Sequence, residues 1–185
     1  MKVKLKSVTE IFYGPHQRAE LDGDTKYLVA SHFDDLHQPC KFKDSYIDNP
    51  KEQAILKEGD VIFTGKGQRF FAWAYTPDFG RVVPSSLFYI LRIQNSELLL
   101  AEYLAYYLNS ERINAKLRSL SAGTSLPSIQ KNELGFFNIE VPSIQEQVKV
   151  IELAKLLDQD VQLSSQLLLQ KKNLRKGLID KIINK

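Results

Sequence analysis

PSIQEQVKVIELAKLLDQDVQLSSQLLLQKKNLRKGLIDKIINK, residues 142–185, decides how this chain is built. After Pro142 it contains no proline and a single glycine, Gly177, and its apolar residues fall at helical spacing. Val150, Ala154, Leu157, Val161, Ser164 and Leu168 alternate by four and three, the spacing of a heptad seam. Leu153, Leu156, Leu163 and Leu167 widen the stripe, and Leu174, Leu178 and Ile182 extend it with Ile179 beside them. About forty helical residues reach roughly 60 Å at about 1.5 Å per residue, more than a small domain can cover. The spacing therefore predicts a helix whose first turns pack on its own domain and whose remainder meets another helix. Lys171, Lys172, Arg175, Lys176, Lys181 and Lys185 against Asp180 make its last stretch basic. That is a solvated face suited to a helix C-terminus, or a contact for a nucleic acid or a partner.

The remaining residues set the class. The 185 residues suffice for one globular domain plus an extension. Hydrophobic residues make up 43% of the chain, with ten Phe and eight Tyr, which supports a packed core rather than disorder. A net charge of +3 permits nucleic acid as a partner without requiring it. Cys40 is the only cysteine, so no internal disulfide forms and a reducing cytosol is expected. The opening MKVKLKSVTEIFYG lacks the apolar run of a signal peptide. No stretch approaches the ~20 apolar residues of a membrane span. The expectation is a soluble, cytoplasmic protein without membrane contact.

Residues 1–95 read as strands and loops. Tyr27–Ala30, Val61–Thr64, Phe70–Tyr75 and Phe88–Ile93 are short runs rich in β-branched and aromatic residues. Turn residues bound them: Gly23-Asp24, Gly59-Asp60, Pro77–Gly80 and Pro84-Ser85. Ser96 stands as an N-cap before ELLLAEYLAYYL, and Ser110 as the cap of a second helix with Ile113, Leu117 and Leu120 on one face. A loop, SAGTSLPSIQKNELG, leads to a short strand at Phe137–Val141. The expected fold class is α+β: a β-rich globular domain with a short helix pair over residues 1–142, then a long coiled-coil helix over 143–185.

Catalytic motifs fail on their context. FTGKG at Phe63–Gly67 matches the F-x-G-x-G turn of S-adenosylmethionine-dependent methyltransferases, but the following QRFFAWAY reads as a second strand, not a helix. A β-hairpin, with positive φ at Gly65 and Gly67, is the simpler reading. His32, Asp34, Asp35, His37 and Cys40 lie close in sequence but match no zinc spacing. Pro77-Asp78 is not followed by the Asp-x-Lys or Glu-x-Lys of a restriction nuclease. Walker loops and nucleophile elbows are absent from the sequence. The reading is a non-catalytic chain with no cofactor and no metal.

Two polar loops remain as candidate contacts. Thr64–Arg69 offers an ammonium, an amide and a guanidinium on one turn: Lys66 suits a phosphate, while Gln68 and Arg69 have the donors to read adenine and guanine edges. Ser121–Ser125 offers hydroxyls and backbone N–H groups, notably at Thr124 and Ser125, with Lys131 just beyond. On composition alone, two ordinary surface turns are the slightly favoured reading of these loops. The partner-facing helix residues are Val150, Leu153, Leu157, Val161, Leu168, Leu174 and Leu178.

Four segments in order resemble the specificity subunits of type I restriction-modification enzymes. They are LKEGDVIFTGKG, AEYLAYYLNSERINAKLRSLSAGTSLPSIQKNEL, IEVPSIQEQVKVIELAKLLDQDV and LLLQKKNLRKGLIDKII. They resemble in turn the family's strand and turn, its helix pair with the glycine-threonine loop, its Pro-x-x-Glu-Gln junction and the end of its conserved helix. Val148-Lys149-Val150 replaces the commoner basic pair followed by Ile. Typical members carry two recognition domains, each followed by a conserved helix; this chain has one of each and resembles a half-subunit. The resemblance implies that the domain reads half of a bipartite site in double-stranded DNA and that the helix docks a methyltransferase subunit and, where one exists, a restriction subunit. The wide apolar stripe predicts a homodimer, and two identical readers on a two-fold axis make the expected target an interrupted palindrome. The alternative is an assembly module that joins other chains through its helix without touching DNA.

Overall fold

The computed structural model describes residues 1–40, 45–121 and 126–183. In chain order these form β1 (Lys2–Lys4), β2 (Thr9–Tyr13), β3 (Thr25–Leu28), β4 (Tyr46–Ile47), β5 (Asp60–Thr64), β6 (Ala72–Ala74), β7 (Val82–Pro84) and β8 (Phe88–Ile93). Helices α1 (Ala101–Asn109), α2 (Glu111–Leu120) and α3 (Lys131–Phe136) follow, then β9 (Asn138–Glu140) and α4 (Ile144–Ile183). The architecture is α+β, and the long C-terminal helix is present. No helix among the described residues is long and apolar enough to cross a membrane.

The principal sheet is antiparallel in the order β2-β8-β5-β6. Its two inner strands read as continuous apolar runs because every β5 residue is buried, as are the first four residues of β8. A second sheet, β4-β3-β7, pairs β3 parallel with β7. β1 and β9 pair antiparallel, tying the start of the chain to the residues that precede α4. An aromatic cluster fills the core, with ring centroids 4.8 Å apart for Phe33–Phe71 and 5.9 Å for Phe71–Phe88. At the start of β5 the fully buried Asp60 carboxylate takes a two-pronged contact from Arg92, Nε at 2.9 Å and Nη2 at 2.7 Å, plus the Lys57 N–H at 2.9 Å. Burying that charge is tolerated because each oxygen is matched.

α4 starts at a capping box. The Ser143 hydroxyl and N–H both donate to the Glu146 carboxylate, at 2.8 and 3.0 Å. One turn on, the Gln147 side chain is fully buried: its amide N–H₂ donates to the Leu98 and Pro142 carbonyls, and its oxygen accepts the Leu100 N–H. The globular unit accordingly runs to Val148, inside the helix, and Lys149–Lys185 form the second unit.

Several local expectations are corrected. Strands β1, β2, β4 and β7 and helix α3 are additions, each too short or too mixed to carry a period. Ser96 does not cap a helix; Asn95 takes the Glu97 N–H on its side chain and the Leu98 and Leu99 N–H groups on its carbonyl, so α1 starts only at Ala101. Ser110 does stand at the N-cap of α2, where its carbonyl accepts the Ile113 and Asn114 N–H groups, but its hydroxyl donates back to the Tyr107 carbonyl rather than capping α2.

Candidate nucleic-acid interface

The connection from β5 to β6 is wider than a two-residue hairpin. The Thr64 hydroxyl closes its base, donating to the Arg69 carbonyl (2.9 Å) and accepting the Phe71 N–H (2.7 Å). Only Gly67 adopts the left-handed conformation, at φ +115°. Gly65 is small for a different reason: a Cβ there would lie 2.2 Å from the Tyr89 ring. The turn is zipped to the segment that precedes α3. The Ile129 N–H donates to the Gly65 carbonyl and the Gly67 N–H to the Pro127 carbonyl, both at 2.9 Å, flanking a bridge between Lys66 and Ser128. The structure thus joins the two stretches that the sequence treats as separate loops. Thr124 and Ser125 themselves lie outside the described residues.

Lys66 and Gln68 are exposed on this turn and their side chains make no hydrogen bond or ion pair among the described residues. Lys131, the first residue of α3, reaches over the Tyr13 ring at 5.5 Å. Tyr13 in turn packs on Tyr89 at 5.2 Å, and the Tyr89 hydroxyl donates to the Ile129 carbonyl at 2.8 Å. Burial, reinforced by Tyr13, pushes the Tyr89 phenol up to about 12. Lys131 therefore stands one aromatic pair away from the Gly65 end of the turn.

Arg69 is placed differently from its neighbours. Its Nη2 donates to the Asp34 carbonyl (2.6 Å) and meets His37 Nδ1 (3.2 Å), and its Nη1 lies 3.6 Å from the exposed Asp35 carboxylate. Its guanidinium also covers the Phe71 ring at 5.2 Å. Both prongs of an arginine fork need Nη2, so as placed Arg69 has no free bidentate edge for a guanine. It clasps the 34–38 loop to the turn. That loop is self-braced: Asp34 accepts the Leu36 and Gln38 N–H groups at 2.9 and 2.8 Å, and His37 stands at φ +60°. No group of three or more metal-ligating side chains converges among the described residues.

Sequence reading missed the helix side of this surface. Asn109, the last residue of α1, grips both backbone groups of Ala72, accepting its N–H at 2.7 Å and donating to its carbonyl at 2.9 Å. Asn114 of α2 donates to the Phe70 carbonyl at 2.6 Å, and its side-chain oxygen accepts Arg118 Nε at 3.0 Å. A groove of about 430 Å³ runs between the turn and these helices, lined by His37, Arg69, Phe70, Asn109, Glu111, Asn114, Ala115 and Arg118. Only contacts across the fold define it; helix periodicity carried no sign of it.

In the second unit, Val150, Leu153, Leu157, Val161, Leu168, Leu174 and Leu178 are all exposed, from 43% at Val150 to 64% at Leu174. Charge divides along the helix. Residues 144–164 carry Glu146, Glu152, Asp158 and Asp160 against Lys149 and Lys155; residues 165–183 carry Lys171, Lys172, Arg175, Lys176 and Lys181 against Asp180.

A family model described as "Type I restriction modification DNA specificity domain" matches residues 1–171. No curated protein matches the chain. Among solved structures, the S subunit of a type I restriction-modification system from M. genitalium superposes with a TM-score of 0.62 at 16% identity, over 96% of this chain and 44% of that one. The HsdS subunit from Thermoanaerobacter tengcongensis gives 0.59 at 20% identity, over 88% and 38%. A chain from a structure on complex assembly and conformational transition of the type I R-M system gives 0.64 at 19% identity, over 96% and 43%. The chain thus spans less than half the length of each of these proteins.

Proposed function

The chain belongs to the type I restriction-modification DNA specificity family, and from that premise we propose that its globular unit reads double-stranded DNA on behalf of a separate methyltransferase. The observation that carries this is the family match, which takes in the whole globular unit and the first two-thirds of α4 rather than an isolated motif. The turn at Lys66–Gln68 supports it. Its free donors stand on a glycine-shaped, braced connection, Lys66 as a phosphate contact and Gln68 as a candidate reader of adenine. Lys131 would add a second phosphate contact, and Thr124 and Ser125, a few residues before it in sequence, would offer their hydroxyls to others.

The helix would supply the second half of the device. Two copies of α4 pairing antiparallel bury the exposed stripe and set the acidic half of each against the basic half of the other. Parallel pairing would instead put five basic residues beside five. Two identical readers related by a two-fold axis read identical half-sites in opposite orientation, so the target is an interrupted palindrome. Catalysis would sit in the methyltransferase subunit, and cleavage in a restriction subunit where the host makes one.

Methylome sequencing of cells that express this chain with a methyltransferase subunit of the same system tests the proposal. Modification on both strands at symmetric positions of an interrupted palindrome is expected, and none with either chain alone. An asymmetric bipartite motif would mean that a second, different recognition domain takes part. Unchanged methylation with and without this chain would leave only assembly through the helix.

A further inference from the structure

Resting on the DNA-recognition reading above, the structure assigns the base-reading arginine of this surface to Arg118 of α2 rather than to Arg69. The two side chains line the same groove. Arg69 has given Nη2, the nitrogen shared by both edges of the fork, to the Asp34 carbonyl and His37. Arg118 is held by the opposite end: only its Nε is engaged, by the Asn114 side-chain oxygen at 3.0 Å. Its Nη1 and Nη2 have no partner among the described residues, and the residue is exposed. The end-on pair of donors that matches guanine O6 and N7 is therefore available on Arg118 and absent on Arg69.

Orientation favours a base edge over a phosphate. Asn114 cannot swivel, because its amide N–H₂ donates to the Phe70 carbonyl at 2.6 Å, which fixes which end of the amide faces Arg118. The helix pair that carries both residues is in turn stapled to β6 by Asn109 through two bonds to Ala72. Arg118 thus projects from a helix through a two-step brace, where a phosphate contact needs only a point charge. Asn114 is a positioning residue: it acts on the ligand through Arg118.

The test selects binding sites for the full chain from a randomised duplex library and compares wild type with Arg118→Ala, Arg118→Lys and Asn114→Leu. Folding of each is checked by its thermal melt. Arg118→Ala should lose the preference for guanine at one position of the half-site, with binding to the selected site weakened about ten- to a hundredfold and non-specific binding little changed. Arg118→Lys keeps the charge but not the fork, so it should show the same loss of the guanine preference as Arg118→Ala, with non-specific affinity again little changed. Asn114→Leu should blur the same position with an unchanged salt slope. An intact preference in Arg118→Ala overturns the assignment, and so does a uniform loss over all sequences that lysine rescues, the behaviour of a phosphate contact. A wild-type chain that selects no sequence would overturn the DNA reading itself, an outcome distinct from either.

Discussion

In the proposed pairing of two α4 helices, replacing Leu157 by Asp should weaken self-association of the chain, and the size of the effect follows from the exposed stripe. Leu157 and Leu168 are 58% and 54% exposed in the single chain. Burying a whole leucine side chain is worth about 1.5–3 kcal/mol, so pairing draws about 1 kcal/mol from the uncovered part of each. A two-fold interface meets every substitution twice, which makes the loss about 2 kcal/mol before the cost of desolvating two new carboxylates. That is at least about thirtyfold in the dissociation constant. Sedimentation velocity across a concentration series reads this directly. The charge division gives a second arm to the same experiment. In an antiparallel pair Lys171 and Lys172 face the acidic half of the partner, so Lys171→Glu with Lys172→Glu should weaken the dimer, and moderate salt should weaken the wild type. A strictly monomeric wild type would refute the reasoning, as would a Leu157→Asp chain that sediments like wild type. A charge-reversed chain that dimerises more tightly would refute the antiparallel arrangement alone.

Two further outcomes concern the fold. Asp60→Ala strips the fully buried partner from Arg92 and leaves the Lys57 N–H and a guanidinium uncompensated, so urea unfolding should show a loss of about 3–5 kcal/mol, while a loss under 1 kcal/mol would contradict the buried pair. Burial pushes both the Tyr89 and Tyr103 phenols up to about 12, from the usual 10. Below pH 10 neither state ionises and stability is fully present; from pH 10 to 12 only the unfolded chain loses these protons, so stability should fall across that window. Tyr89→Phe should lower stability at pH 8, by loss of the bond to Ile129, yet flatten the alkaline decline, and denaturant melts at pH 8 and pH 11.5 would show both.

What the sequence discloses and what it hides divide by the range of the interaction. α4 was legible because one local period persists over many turns and no proline interrupts it. β5 and β8 were legible because buried inner strands show as apolar runs. β1 and β7 were not, since three residues cannot display a period and their partners, β9 and β3, lie far away in sequence. The capping serines show the limit of a local rule. Ser96 and Ser110 have the right chemistry, but Asn95 takes the backbone N–H groups that follow Ser96, and the Ser110 hydroxyl is spent on the Tyr107 carbonyl of α1. Ser143 succeeds because Glu146, three residues on, completes the box.

The same division separates the two arginines of the groove. From sequence, Arg69 has every mark of a reader: it sits on a glycine-bearing turn beside a lysine and a glutamine. Arg118 looks like an ordinary solvated residue in the last turn of a short helix. What distinguishes them is which nitrogen each has already given away, and to whom. Arg69 gives up the shared prong of its fork to a loop more than thirty positions earlier in the chain, at Asp34 and His37. Arg118 gives up only Nε, to a neighbour one turn back, and keeps the fork. A donor count over the sequence treats the two alike. A fork is useful to a ligand only where the fold leaves its outer edge unspent, and long-range contacts determine that. The clasp also gives Arg69 a reason to be arginine without reading anything: lysine has no planar group to lie on Phe71 while meeting two acceptors from the 34–38 loop.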